Sequence, residues 1–288
     1  MLEDPPMTAA TALDHVGLAT PDPRALGAAY ERLGFTLSPL SQQSGRRAPD
    51  RPVELFGSAN HCVMLREGFI ELLGLVDPAL FDNGLKRFLA RHEGIHILAF
   101  EMDDEEANLA RLRQAGLAIP GVAWLQRPVG DADGPIARFA RLPVPDAPEG
   151  RVQLVRHLTP ELLWREPWLT HRNHAVALDS AVLVTEDPAE SAARLGTLTG
   201  IAPVPEAGGL LLQLPRGALR ILPPEALPAV LPGVAIPNLP FTAGCVLRTD
   251  DGNAAVRALL GDVLQPVPGG LMVPPALAGG AALVFSPG

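Results

Sequence analysis

Runs of basic residues are missing from this sequence. No stretch of five or more Lys or Arg occurs, and the densest spot is Arg46-Arg47. With a net charge of −9 and an isoelectric point near 5.3, the chain offers no basic patch for phosphates, which argues against a nucleic-acid partner. Long apolar runs are missing too. None reaches the ~18 residues that a spanning helix needs, so no membrane association is expected. The opening MLEDPPMTAAT is acidic and Pro-containing, without an apolar stretch, and does not read as a signal peptide. Cysteine is scarce. Cys62 and Cys245 each sit in an apolar run and read as buried free thiols of a cytoplasmic protein. Histidine stops at His174, so the last third of the chain has none.

What is plentiful is proline (31), glycine (28) and apolar content (47%), a mixture that indicates many turns between short strands rather than disorder. The 288 residues allow roughly two domains.

The organisation shows in a repeat. The segment 13-LDHVGLATPDPRALGAAYERLGF-35 places a histidine early in an apolar strand-like run, an Asp seven residues later and then an Ala/Leu/Arg helix ending at a glycine. The segment 94-GIHILAFEMDDEEANLARLRQAGL-117 does the same, with His96 and Asp103 in place of His15 and Asp22. Two further copies open at 178-LDSAVLVTEDP and 241-FTAGCVLRTDD, with Ser180 and Ala243 in the histidine's slot and Asp187 and Asp250 seven residues on. An Asp there suits a helix N-cap. Each copy also closes alike, as 68-GFIELL-73, 150-GRVQLV-155, 217-GALRIL-222 and 280-GAALVF-285. The fourth residues of these closings are Glu71, Gln153, Arg220 and Leu283.

The unit is therefore βαβββ, present four times. One such unit cannot bury both faces of its sheet, so the units are expected to pair. The fold class is α+β, with four βαβββ modules forming two curved open-barrel sheets around clefts. The expected layout is a disordered tail over 1–11, a paired domain over 12–157, a connector over 158–177 and a second paired domain over 178–288.

The residues 13-LDHVGLA-19 and 69-FIELLG-74, with the βαβββ duplication, resemble the vicinal oxygen chelate superfamily, in particular its glyoxalase-like domain proteins. The superfamily includes glyoxalase-type isomerases, epimerases, thiol transferases, ring-cleaving extradiol dioxygenases and metal-free drug-binding proteins, so the resemblance fixes fold better than reaction. It implies metal ligands on the first and last strands of paired modules. Those positions map onto His15, Glu71 and His96, with Gln153 in the fourth slot. Two imidazoles and a carboxylate suit Fe, Mn, Ni or Zn and leave open positions for a small oxygenated substrate.

The recurrence of His15 and His96 in one slot supports a metal. So does Glu71, which is costly to bury without a cation or hydrogen-bond donors. Gln153 departs from the family pattern, because an amide cannot shuttle a proton as glyoxalase isomerisation requires. Glu71 would then serve as both ligand and base. His61, on a strand neighbouring Glu71, is a candidate general base or orienter. His157, four residues beyond Gln153 on the same strand face, reads as a group at the cleft's end. His171 and His174 lack flanking ligands for a zinc site. Trp164 and Trp168 read as packing the connector onto the first domain. Arg220 offers a site for a carboxylate ligand in the second half, where no metal set can be assembled. The two-domain extradiol enzymes that this layout resembles usually keep their metal in the second half.

Two functional readings follow. One is a divalent-metal enzyme of isomerase, lyase or ring-cleaving dioxygenase type, working in the N-terminal cleft. The other is a metal-free protein that binds or sequesters a small molecule on the same scaffold. A homodimer is among the arrangements the sequence allows.

Overall fold

The computed structural model describes residues 9–46, 51–129 and 133–288. Each of the four repeats folds as a strand, a helix and three strands. The first module is β1 (Ala12–Thr20), α1 (Pro23–Arg32), β2 (Ser41–Gly45), β3 (Glu54–Met64) and β4 (Phe69–Leu75). A short helix, α2 (Leu85–Leu89), leads to the second module: β5 (Gly94–Glu101), α3 (Glu105–Gln114), β6 (Ala123–Pro128), β7 (Ile136–Pro143) and β8 (Arg151–His157). The connector carries α4 (Glu166–Leu169). The third module is β9 (Ala175–Val184), α5 (Pro188–Thr199), β10 (Val204–Glu206), β11 (Gly209–Gln213) and β12 (Ala218–Leu222). After α6 (Leu227–Val230), the fourth is β13 (Phe241–Thr249), α7 (Ala254–Leu260), β14 (Gln265–Val267), β15 (Gly270–Val273) and β16 (Ala282–Ser286).

Helix starts follow the local chemistry. The Asp22 carboxylate accepts from the backbone N–H of Arg24 and Ala25, and Asp187 accepts from that of Glu190, each cap contributing about 1 kcal/mol. In the second module the cap is Asp104, one residue beyond the expected Asp103. In the fourth, α7 starts after Asn253 in the left-handed region, and Asp251 rather than Asp250 accepts from a first-turn N–H, that of Ala255.

The first two modules close into an eight-stranded barrel in the order β1-β4-β3-β2-β6-β7-β8-β5, with β5 returning to β1. The closure lies at β2 and β6, where Ser44 pairs with Gln126 and Gly45 with Leu125. The last two modules join through β9 and β13 into an open sheet, linked to the barrel where Thr242 meets Ile95. The concave face of that open sheet is filled. Leu227 and Leu231, from the proline-rich connector, pack there against Val182, Phe241 and Met272.

One hydrophobic core serves both halves. Leu26 and Tyr30 of α1 share it with Leu195 of α5, Val256 of α7 and Phe285 of β16. The Tyr30 hydroxyl donates to the carbonyl of Ala278, and Phe35 stacks on Phe285. Burying a side chain such as Leu26 contributes about 1.5–3 kcal/mol. Residues 10 and 11, expected in a disordered tail, are tied down. The backbone N–H of Ala10 donates to Thr199 and that of Thr11 to Glu101. Residues 1–8 of that expected tail lie outside the described residues.

Strand register corrects the repeat alignment by one residue. Each opening strand pairs in parallel with the closing strand of its module, and the pairings begin at His15↔Phe69, Ile97↔Arg151, Ser180↔Ala218 and Gly244↔Ala282. The structural counterparts of His15 are thus Ile97, Ser180 and Gly244. His96 and Ala243 stand one residue earlier, beside Asp14 and Asp179. The β1–β5 ladder skips Asp14 and His96, which are the bulged residues. The glycines before β4 and β8 report the same equivalence. A Cβ on Gly68 would lie 2.9 Å from the carbonyl oxygen of Asp14, and one on Gly150 only 2.3 Å from that of His96. Both glycines have positive φ (75° and 131°), so both turns require glycine.

Candidate functional site

Alternation along the barrel strands turns a polar set inward. Asn60, Cys62 and Met64 come from β3, Phe69 and Glu71 from β4, Phe139 and Arg141 from β7, and Arg151, Gln153 and His157 from β8. Gln43, Arg127 and Leu163 also line this cavity, which is partly open to solvent. Leu163 and Trp164 of the connector pack on the barrel end beside Phe69, and Trp164 meets the His157 ring edge-on at 4.8 Å.

Glu71 is the only carboxylate among the described lining residues. Its Oε1 accepts from Asn60 Nδ2 at 2.5 Å and from Gln43 Nε2 at 3.2 Å. Gln153 faces the same space and accepts through Oε1 from Arg141 Nη1 at 3.2 Å. Arg127 donates through Nη2 to Cys62 Sγ at 3.6 Å, and Arg151 through Nη2 to the Asn83 carbonyl at 2.5 Å. Burial pushes the Arg141 guanidinium down to about 9; the charge of Arg151 adds to this and that of Glu71 opposes it. Burial also raises the Cys62 thiol to about 11, against the pull of Arg127.

At the connector end, His15 and His157 flank Asp14. His15 Nδ1 donates to Asp14 Oδ1 at 2.5 Å, and His157 Nε2 donates to Oδ2 at 2.9 Å. The His15 ring stacks on Phe69 at 4.4 Å. Burial alone would raise the Asp14 carboxyl. The two imidazoles override it, His157 most strongly, and hold the group well below the usual carboxylate range.

The sequence-derived candidates therefore separate. His15, Glu71, Gln153 and His157 share the cavity. His96 does not line it. Its Nε2 donates to the carbonyl of His92, and its ring stacks on Phe88 and against His92. Burial depresses its basicity to about 4. The one-residue bulge places Ile97 where a counterpart of His15 would stand. His61, a candidate base, alternates away from Asn60 and Cys62. It bonds the Ser38 carbonyl through Nδ1, and its ring lies where a Cβ on Gly27 of α1 would come within 3.0 Å. Arg220 is engaged with Glu206 at 2.8 Å. His171 bridges the Thr36 N–H and the Met64 carbonyl, whereas His174 pairs with Asp250, so the two do not converge.

Sequence reasoning missed Asp14 and the three arginines. Asp14 was legible as a charge within an apolar strand. Arg151 stands two residues before Gln153 and so shares its face.

A family model described as a glyoxalase-like domain matches residues 13–199. The chain belongs to the glyoxalase-like domain family. No curated protein matches it. Among solved structures, a hypothetical protein from Staphylococcus aureus superposes with a TM-score of 0.63 at 13% identity, covering 95% of this chain and 98% of that one. A mutant 4-hydroxymandelate synthase from Streptomyces coelicolor gives 0.55 at 15% identity, covering 90% and 78%. A xylose isomerase-like TIM barrel/4-hydroxyphenylpyruvate dioxygenase fusion protein gives 0.53 at 16% identity, covering 92% of this chain and 40% of that one. At such identities the likeness carries the fold alone.

The resemblance in the sequence implied a divalent metal held by His15, Glu71, His96 and Gln153. That four-residue set does not assemble, because His96 lies outside the cavity that the other three line. Among the described residues, no group of three or more His, Cys, Asp or Glu side chains is placed to hold an ion. Of the expected ligands, His96 is outside the cavity, whereas His15 donates Nδ1 to Asp14 and keeps Nε2 for another partner. Glu71 is satisfied by amide donors and faces arginines, whose charge opposes a cation.

Proposed function

We propose that this glyoxalase-like chain binds a small organic molecule in the N-terminal barrel without a catalytic metal. The observation that carries this reading is the bulge at His96, which removes the third expected ligand and leaves Ile97 in its position. The cavity's mixture of polar and apolar groups supports a ligand site. The filled concave face of the C-terminal sheet supports a structural role for the second pair. The setting proposed is the cytoplasm, in keeping with two buried free thiols, and among the described residues no helix is long and apolar enough to cross a membrane.

Metal analysis tests the proposal. Protein incubated with Fe(II), Mn, Ni or Zn and then desalted is expected to retain far less than one equivalent. One equivalent retained by the parent and lost in His15→Ala and Glu71→Ala would overturn it. That outcome would favour the metal-dependent isomerase, lyase or ring-cleaving reading, for which the shared cavity of His15 and Glu71 speaks.

A further inference from the structure

We infer that the ligand of the barrel is an organic carboxylate, gripped by the guanidinium groups of Arg127, Arg141 and Arg151. The inference rests on the cavity being a ligand site and goes on to name the chemical class.

Three guanidinium groups line one cavity, and among the described residues none forms an ion pair with a protein carboxylate. Their partners are a thiol, a side-chain amide and the carbonyl and side-chain oxygens of Asn83. Each guanidinium carries five N–H donors, and most have no hydrogen-bond partner among the described residues. Arg141 Nε is buried with no partner at all. Arg127 is only 8% exposed. Against them the lining sets Glu71, and Asp14 is already engaged by His15 and His157. Positive charge is in excess even when both acids are counted.

Buried guanidinium groups without counterions are costly in the free protein, and an incoming anion offsets that cost. A carboxylate matches the planar fork of arginine with two parallel hydrogen bonds. The other lining groups identify the rest of the ligand. Met64, Phe69, Leu125 and Phe139 give the same cavity an apolar wall. Arg127 lies 6.0 Å from the Phe139 ring centroid, so charged and apolar surface meet within one ligand's length. A bare inorganic anion would leave that wall unused.

The test is calorimetric titration of the full chain with benzoate, phenylacetate and adipate. Their neutral amides and inorganic phosphate serve as comparisons. At least one acid is expected to bind, and its amide at least tenfold more weakly. Arg141→Gln and Arg127→Gln are expected to weaken that acid by about thirtyfold or more. Glu71→Gln, which removes the opposing charge, is expected to tighten it, so support does not depend on the arginine variants folding. Arg141→Met is further expected to raise the melting temperature of the ligand-free protein while abolishing the acid-induced shift.

Amides binding as well as acids would overturn the carboxylate while leaving small-molecule binding intact. Phosphate binding as tightly as the best acid would mean a general anion site and would overturn it too, as would silence from every acid. Retention of a full metal equivalent strikes instead at the metal-free reading, so the two failures are distinguishable.

Discussion

Asp14 and His157 meet at 2.9 Å although 143 residues separate them in the chain. The contact joins the first strand of one module to the last strand of the next, across the end of the barrel. Both side chains are buried, and Asp14 is also held by His15.

Removing that carboxylate strands two buried imidazoles. Asp14→Ala is expected to lower stability by about 2–4 kcal/mol in urea unfolding at neutral pH. The Asp14 carboxyl is held below its unfolded value, so the unfolded chain takes up the proton first as pH falls. The contribution is present above about pH 4 and is lost as acid is added below it. The penalty of Asp14→Asn is therefore expected to shrink in that acid range.

Histidines give a second pH dependence, at higher pH. Burial depresses His92 and His96 to about 4, and lowers His171 below its ordinary value. All three are neutral in the fold at pH 7. Between pH 6.5 and about 4 the unfolded chain binds more protons than the folded one, so stability falls as pH falls through that window. Urea midpoints measured across it are expected to decline steadily, with a smaller slope in His171→Gln.

The glycine turns differ sharply in tolerance. At Gly150 a methyl group would meet the His96 carbonyl at 2.3 Å, with φ at 131°. At Gly116 φ is 85° and nothing lies within 4 Å. Gly150→Ala is expected to cost about 3 kcal/mol or more, and Gly116→Ala about 1 kcal/mol, by chemical denaturation.

Both thiols are expected to be silent in the native protein. Burial raises Cys62 to about 11 and Cys245 to about 12. An aromatic disulfide reagent near neutral pH is expected to modify neither until denaturant is added, when both react.

The sequence carried the architecture because a repeat is visible without knowing any contact. Four openings and four glycine-led closings, in order, demanded four βαβββ modules. It brought Glu71, Gln153 and His157 to one cavity for the same reason. Glu71 and Gln153 come from equivalent closing strands, and alternation placed His157 beside them. His96 misled because its distance from the following acid matched that of His15. Only the ladder reveals that the helix cap had also moved, to Asp104, so that strand and cap slid together by one residue. His61 misled because neighbouring Glu71 in the sheet does not decide which face a side chain takes. The arginines escaped notice because they come from three strands that meet only when the barrel closes.

The interlocking of α1 with the last module has a thermodynamic corollary. Tyr30 and Phe35 find their partners at Ala278 and Phe285, so neither half possesses a complete interior of its own. Heating is therefore expected to produce a single calorimetric peak, and severing the chain at the connector to leave two fragments that recover native structure only when mixed.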